Sequence, residues 1–316
     1  MTLNTDYLVR RLRLRHLELL VALADVGTMR GAATRLHLSQ PALSKMLGEI
    51  EAGFGARLFE RSPQGLAANA LGDAAIYRAR VIFGELARAK EEVDALRTGA
   101  SGVLRLGTLS VTASVPRAIA QLRRVHRGAR VQVQEGRVRD MIQRLLDGEL
   151  DCVFGAITPE LLTSELLPLL RPEVLLKDEL CVLCAQDHPM ARKRRLAWAD
   201  LRTSDWVAPP KDTLVRQALM TAFLNGGLEP PQPSIEVLSS VTIGSVLRLD
   251  ASLVGAVRAE HAQDELARGG LRRLPVGPAI PLPSLGLYTR RSAGPPVPLV
   301  NAFATALKRF GARTGS

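Results

Sequence analysis

An α + α/β fold is predicted by three features of the sequence. Short amphipathic helices crowd one end, a long proline-free helix follows them, and strands alternate with helices over the rest. At 316 residues the chain is long enough for two or three domains. Its 47% hydrophobic and 23% charged residues are an ordinary balance for a globular protein. No run approaches the roughly 18 apolar residues of a membrane span. The N-terminal MTLNTDYLVRRLRLRH has basic residues but no apolar core behind them, unlike a secretory signal, so the expected location is the cytoplasm.

The first helix runs over His16–Asp25, with Leu17, Leu20, Val21 and Ala24 expected inward. Thr28 is placed to cap a second helix, Met29–Leu36, where Ala32 and Ala33 allow close approach of a neighbour. His37-Leu38 leaves room only for a tight turn. Ser39 then caps the third helix, and Pro41 falls in its first turn, where a missing N–H costs little. Leu43, Leu47, Ile50 and Phe54, spaced four, three and four, make one apolar stripe. Gln40, Ser44, Lys45 and Gly48 fall on another face. Helices two and three joined this tightly form a helix-turn-helix, although the same spacing also suits a plain helical bundle.

In a helix-turn-helix the final helix enters the DNA major groove by its N-terminal end. There Gln40 is suited to pair with adenine, Pro41 or Ala42 to touch a thymine methyl, and Ser44 and Lys45 to meet bases or phosphates. Leu58-Phe59, the turn Ser62-Pro63-Gln64-Gly65 and a return strand from Leu66 read as a hairpin wing, with Arg57 and Arg61 at its base and tip. The net charge of +11 suits a polyanionic partner. It does not locate one, because the first 80 residues hold eleven Lys/Arg against seven Asp/Glu, in proportion to the rest.

From Ala70 to Leu96 no proline interrupts the chain. Ala75, Ala79, Ile82, Leu86, Ala89, Val93 and Leu96 form a heptad seam that ends at the flexible Gly99-Ala100-Ser101-Gly102. A seam ending in a hinge favours a helix that pairs subunits over one packed on its own domain.

The stretch LELLVALADVGTMRGAATRLHLSQPALSKMLGEIEAGFGARLFERSPQG resembles the DNA-binding head of the LysR-type transcriptional regulators, a likeness that extends from His16 to Gly72. Two positions depart from the family. Ala68-Asn69 stands where Leu-Thr is usual, and Gly31 stands where a polar residue is common and is expected to weaken its helix. The resemblance implies a winged helix-turn-helix over 1–69, a dimerising linker helix and hinge over 70–100, and a two-lobed α/β effector domain over 101–316, similar to periplasmic binding proteins. Lobe one is expected at 101–172 and 276–316, and lobe two at 173–275. It also implies DNA contacts from Thr28, Arg30, Ser39, Gln40, Pro41, Ala42, Ser44, Lys45, Arg57, Arg61 and Gln64. The implied partners are promoter DNA, RNA polymerase, and copies of the chain as a homodimer or homotetramer.

In the larger region VLRLGTL, RVQVQE, DCVFGAI, ELCVLCA, DWVAP, PSIEVL, SLVGAV and SLGLYT read as strands, with helical stretches between them. Ligands of open α/β sheets sit at the C-terminal ends of strands, beside helix N-termini. Three stretches qualify: GTLSVTASVP with Thr108, Ser110 and Thr112; APPKDT with Pro209, Lys211 and Thr213; and LSSVTIG with Ser239, Ser240 and Thr242. Each hydroxyl also suits a simple helix cap; their convergence on one small organic acid is what the resemblance implies. The sequence has no GxxxxGK[ST], HExxH or GxSxG, and its five histidines lack metal spacing, so neither catalysis nor a cofactor is expected. A solute-binding protein would account for the strand–helix region but not for the head. Cys181 and Cys184 have CxxC spacing, but residues three apart on a strand face opposite ways, so core packing is expected rather than a metal or redox pair.

Overall fold

The computed structural model describes residues 12–62, 65–98, 102–109, 111, 114–291 and 298–311. Two compact units are present: Met1–Gly99 with Gln143–Leu150, and Ala100–Ile142 with Asp151–Ser316.

The first unit opens with α1 (Leu14–Val26), α2 (Met29–Leu36) and α3 (Gln40–Phe54). Thr28 and Ser39 cap as expected: their hydroxyls accept from Gly31 N at 3.1 Å and Ala42 N at 3.4 Å. His37 adopts a left-handed φ of 53°, and Leu38 N donates to Ala33 O at 3.0 Å, which closes α2 and makes the tight turn. The core joins Leu19, Leu20 and Leu23 of α1 to Ala32, Ala33, Leu43 and Ile50. The buried phase of α1 therefore differs from the expected one: Leu17 and Val21 are half-buried and Ala24 is exposed. Phe54 also departs from its expected stripe, being 40% exposed.

The wing pairs β1 (Phe59–Ser62) with β2 (Gly65–Ala68), antiparallel. Leu66 N donates to Gly27 O at 2.8 Å, which ties the wing to the end of α1. Gly65 lies at φ +134°, and a Cβ there would stand 2.5 Å from Gly27 O, so only glycine fits. α4 (Ala70–Thr98) follows, capped by Asn69, whose Oδ1 accepts from Leu71 N and Gly72 N at 3.1 and 2.9 Å. Ala75, Ile76 and Ala79 of α4 belong to the core of the first unit. Further along, Ile82, Leu86 and Val93 are exposed, and the Leu96 side chain lies outside the described residues.

The second unit contains β3 (Val103–Thr108), α5 (Ser114–Val125), β4 (Arg130–Glu135), α6 (Val138–Leu146), β5 (Cys152–Ala156), α7 (Pro159–Leu162), β6 (Leu170–Ala185), β7 (Leu196–Ala197), β8 (Asp205–Ala208), α8 (Leu214–Asn225), β9 (Ile235–Glu236), α9 (Ser240–Leu249), β10 (Leu253–Arg258), α10 (Ala259–Ala267), β11 (Leu271–Leu274), β12 (Val276–Gly277), β13 (Pro281–Arg290) and α11 (Pro298–Gly311). The end of α6 counts with the first unit. Strands run in the order β4-β3-β5-β13-β6-β10-β8-β9, with β11 also on β6. β4, β3 and β5 are parallel, as are β10, β8 and β9.

Two antiparallel strands join these parallel sets. Residues 170–179 of β6 pair with β13, and residues 180–184 pair with β10. ELCVLCA is thus the second half of a 16-residue strand that serves both lobes. PSIEVL contracts to Ile235–Glu236. One apolar core gathers β3, β5, α5 and α11 around Leu106, Phe154 and Phe303; others gather around Trp206 and Phe223 and around Val207 and Leu247. Cys184 lies in the Trp206 core and Cys181 in the Val207 core, so the pair does face opposite sides of the sheet.

Candidate functional site

Two sites stand out, one in each unit. In the first, Ser39 and Pro41 start α3 where its stripe of Leu43 and Ile50 turns inward. Gln40, Pro41, Ser44 and Lys45 are left exposed and Ala42 half-buried. Thr28, Arg30, Ser39 and Arg57 are exposed as well. The Arg61 side chain and Gln64 lie outside the described residues. His16 ties α1 to α3: its Nδ1 accepts from Arg13 N at 2.9 Å and its Nε2 lies 3.3 Å from Glu49 Oε2. Glu49 is exposed and lies four residues after Lys45, so this tie reaches α3 on the side of its polar row.

In the second unit a cavity of about 380 Å³ lies among the C-terminal ends of β3, β5, β8 and β10. That is where open α/β sheets bind ligands, and the volume suits a small molecule. Of the expected residues Thr108, Pro209, Thr213 and Ser240 line it. Lys211, Ser239 and Thr242 are exposed and do not. Ser239 instead caps α9, accepting from Thr242 N at 3.3 Å. Thr213 both lines the cavity and caps α8, accepting from Arg216 N at 3.3 Å. Ser110 and Thr112 lie outside the described residues.

The charged lining was not among the expected residues. Arg258, Glu260 and His261 come from the end of β10 and the start of α10. Arg258 Nε donates to Asp178 Oδ2 of β6 at 2.5 Å, and both side chains are buried. Its Nη2 is buried with no hydrogen-bond partner among the described residues. Glu260 Oε1 accepts from Ser114 N and Ser114 Oγ at 2.9 and 2.7 Å. A carboxyl of one lobe thus occupies the N-terminus of α5 in the other. Glu260 Oε2 lies 3.2 Å from His261 Nε2. At the rim Arg137 and Asp212 make a second bridge between lobes, 3.2 Å long and exposed. The sequence signal for all this was the run VRAEH directly after the strand SLVGAV, which places charge at a strand's C-terminal end.

Burial pushes the Glu260 carboxyl above its usual range, against the pull of the Ser114 donors and of Arg258. Burial, followed by repulsion from Arg258, pushes His261 down to about 3. The folded protein therefore holds His261 neutral, while the unfolded chain takes up a proton below its ordinary 6.5. This contribution to stability is complete above pH 6.5 and is lost as pH falls toward 3. Glu260 acts in the opposite sense, gaining stability on acidification. We expect His261→Gln to flatten the acid side of the stability curve, removing up to about 1 kcal/mol per pH unit. Urea midpoints at pH 7.5 and 5.0 check this; equal pH slopes for variant and wild type would refute it.

Cys152, Cys181 and Cys184, the three cysteines of the sequence, are all buried. Burial pushes the Cys181 thiol up to about 12 and the Cys184 thiol to about 11. Among the described residues no cluster of His, Cys, Asp and Glu is arranged for a metal, and no helix is long and apolar enough to cross a membrane.

Comparison with known proteins connects the two sites. Residues 14–73 match the family described as bacterial regulatory helix-turn-helix protein, lysR family, and residues 97–312 match the LysR substrate binding domain. The chain is 34% identical over 239 residues to the HTH-type transcriptional regulator GbpR of Azospirillum brasilense, covering 74% of this chain and 68% of that one. It is 30% identical over 289 residues to an uncharacterized HTH-type transcriptional regulator, YdcI, of Escherichia coli K12, covering 90% and 91%. Its fold is similar to that of full-length CbnR complexed with its target DNA, at a TM-score of 0.59 and 19% identity over 95% and 100% of the two chains.

Proposed function

Since the chain belongs to the LysR family of transcriptional regulators, we propose that α3 reads operator DNA and that a small organic anion in the cleft sets the regulatory state. The observation that carries the DNA half is the exposed row Gln40, Pro41, Ser44 and Lys45 at the N-terminal end of a helix whose opposite side is anchored in the core. The seam of α4 pairs two subunits, as dimer or tetramer, and so imposes a partly palindromic site. RNA polymerase is the downstream partner, and the cytoplasm the place of action. The cleft supports the sensing half: both lobes contribute to its wall, so a ligand that prefers one lobe arrangement shifts the whole domain. About 1–3 kcal/mol of coupling is enough to regulate. Buried thiols with raised pKa values favour a ligand over an oxidant as the signal.

The test is footprinting with quantitative binding. Gln40→Ala loses about 1–3 kcal/mol at one base position and keeps its non-specific affinity. Lys45→Ala weakens binding on every sequence and makes the salt dependence shallower, as loss of a phosphate contact does. Unchanged footprints and affinities in both variants would remove α3 from the DNA-reading role.

A further inference from the structure

We propose that the cleft selects a monocarboxylate with an apolar body, anchored on the Nη2 of Arg258 rather than on a helix N-terminus. This rests on the cleft being the sensing site.

The argument starts from what is already occupied. A carboxylate entering an α/β cleft ordinarily finds free N–H groups at a helix N-terminus. Here Ser114 N and Oγ, the donors that open α5, are both taken by Glu260. The hydroxyls of Thr213 and Ser239 are likewise committed to their own helix caps. Among the described side chains of the lining, Arg258 carries a buried donor without a partner. It lines the cavity, it is 93% buried by its 7% exposure, and its Nη2 has no partner among the described residues. A desolvated guanidinium N–H without an acceptor is costly, and a carboxylate is the acceptor that satisfies it best. Asp178 holds the guanidinium through Nε, which fixes its direction before a ligand arrives.

The number of charges follows from the neighbours. Asp178 is paired with the anchor, so a second negative group on the ligand would meet like charge in a buried site. Burial pushes Glu260 toward its neutral acid and holds His261 neutral, and the lining cation Arg137 sits exposed at the rim, already paired with Asp212. The rest of the wall is largely apolar, with Leu109, Val138, Phe154, Leu238, Ile243 and Leu285 around the space. A polyol would leave its hydroxyls unpaired against such a surface, whereas an aryl or alkyl body is favoured there.

The test is titration calorimetry of the full chain with benzoate, hexanoate, benzamide, benzylamine and gluconate. Benzoate and hexanoate should bind, and the isosteric benzamide, the cation benzylamine and the polyol gluconate should each bind at least about tenfold more weakly. Arg258→Lys should lower benzoate affinity by about tenfold or more, since the ammonium keeps the charge but loses the directed fork. Glu260→Gln keeps an oxygen for Ser114 and leaves no ionisable carboxyl beside the anchor, so it should bind benzoate as tightly or more tightly. Leu238→Trp, at a half-exposed lining position, should block every bound probe and so reports whether the probes occupy the cleft at all.

Benzamide or benzylamine matching benzoate, gluconate exceeding it, or loss of benzoate in Glu260→Gln would overturn the Arg258 assignment and leave the cleft standing. Binding insensitive to Leu238→Trp would overturn the cleft reading itself. No binding of either carboxylate at millimolar concentration would overturn the proposed ligand class. If Arg258→Lys fails to fold, the wild-type probe series and Leu238→Trp decide alone.

Discussion

Leu86→Glu leaves the chain folded and takes it apart as an assembly. Leu86 is 47% exposed in the single chain, so a glutamate there costs the fold little. Ile82, Ala89 and Val93 are exposed beside it at heptad spacing. When two such faces meet, a glutamate in the seam is an unpaired buried charge. Sedimentation should shift to the monomer with a circular dichroism spectrum like the wild type's. Operator affinity should fall by roughly 10²–10⁴-fold, because the second head is no longer delivered at the high effective concentration of a linked pair. A wild-type sedimentation profile would move the interface away from α4. The upper part of the same seam behaves differently: Ala75 and Ala79 are already used by the first unit's own core, so the turns from Ile82 onward are the ones left for a partner.

Gly31→Ala destabilises the head, although helix propensity alone favours the change by about 1 kcal/mol. A Cβ at Gly31 would stand 2.2 Å from Val26 Cγ1 and 2.9 Å from Thr28 Oγ1. Val26 is β-branched and stiff at χ1, so turning its Cγ1 away means leaving a preferred rotamer. Thr28 is the cap of α2, and moving its hydroxyl breaks the bond to Gly31 N. Overpacking of this kind costs about 1–3 kcal/mol, and the disturbed cap about 1 more. In so small a unit that lowers the melting temperature by several degrees per kcal/mol, about 4–8 °C each. Hydrogen exchange over residues 14–73 should quicken while the second unit is unchanged; faster melting of neither would restore the propensity argument. The glycine expected from the sequence to weaken its helix is thus the residue its packing requires.

The head was legible because its signals are local. Thr28, Ser39 and Asn69 are caps that depend on the next few residues only, and the alternation of strands with helices is a property of short windows. What escaped the sequence depends on partners far along the chain. LELLVALA is apolar on nearly every face, so several helical phases fit it, and the helices docked on it, α2, α3 and the start of α4, choose Leu19, Ala22 and Leu23. The first half of β6 reads as loop because Arg171, Pro172, Glu173, Lys177 and Asp178 interrupt the apolar pattern. It is a strand because β13, about a hundred residues later, pairs with it. The cleft was expected from hydroxyls, which serve equally well as caps. Its charged floor needs the start of α10 in one lobe to meet α5 of the other, and the end of β10 to meet Asp178 of the shared strand, a meeting no local pattern encodes.

The shared strands also set an order of events during synthesis. β3, α5 and β5 of lobe one leave the ribosome early, but their core is closed by Leu285 and Leu287 of β13 and by Phe303 and Leu307 of α11. All of lobe two is made in between. At ordinary elongation rates Leu106 and Phe154 therefore wait on the order of ten to forty seconds for their last partners. Lobe one is begun before lobe two and closed after it, so its apolar faces stay uncovered longer in the nascent chain, and α11 is the piece that covers them.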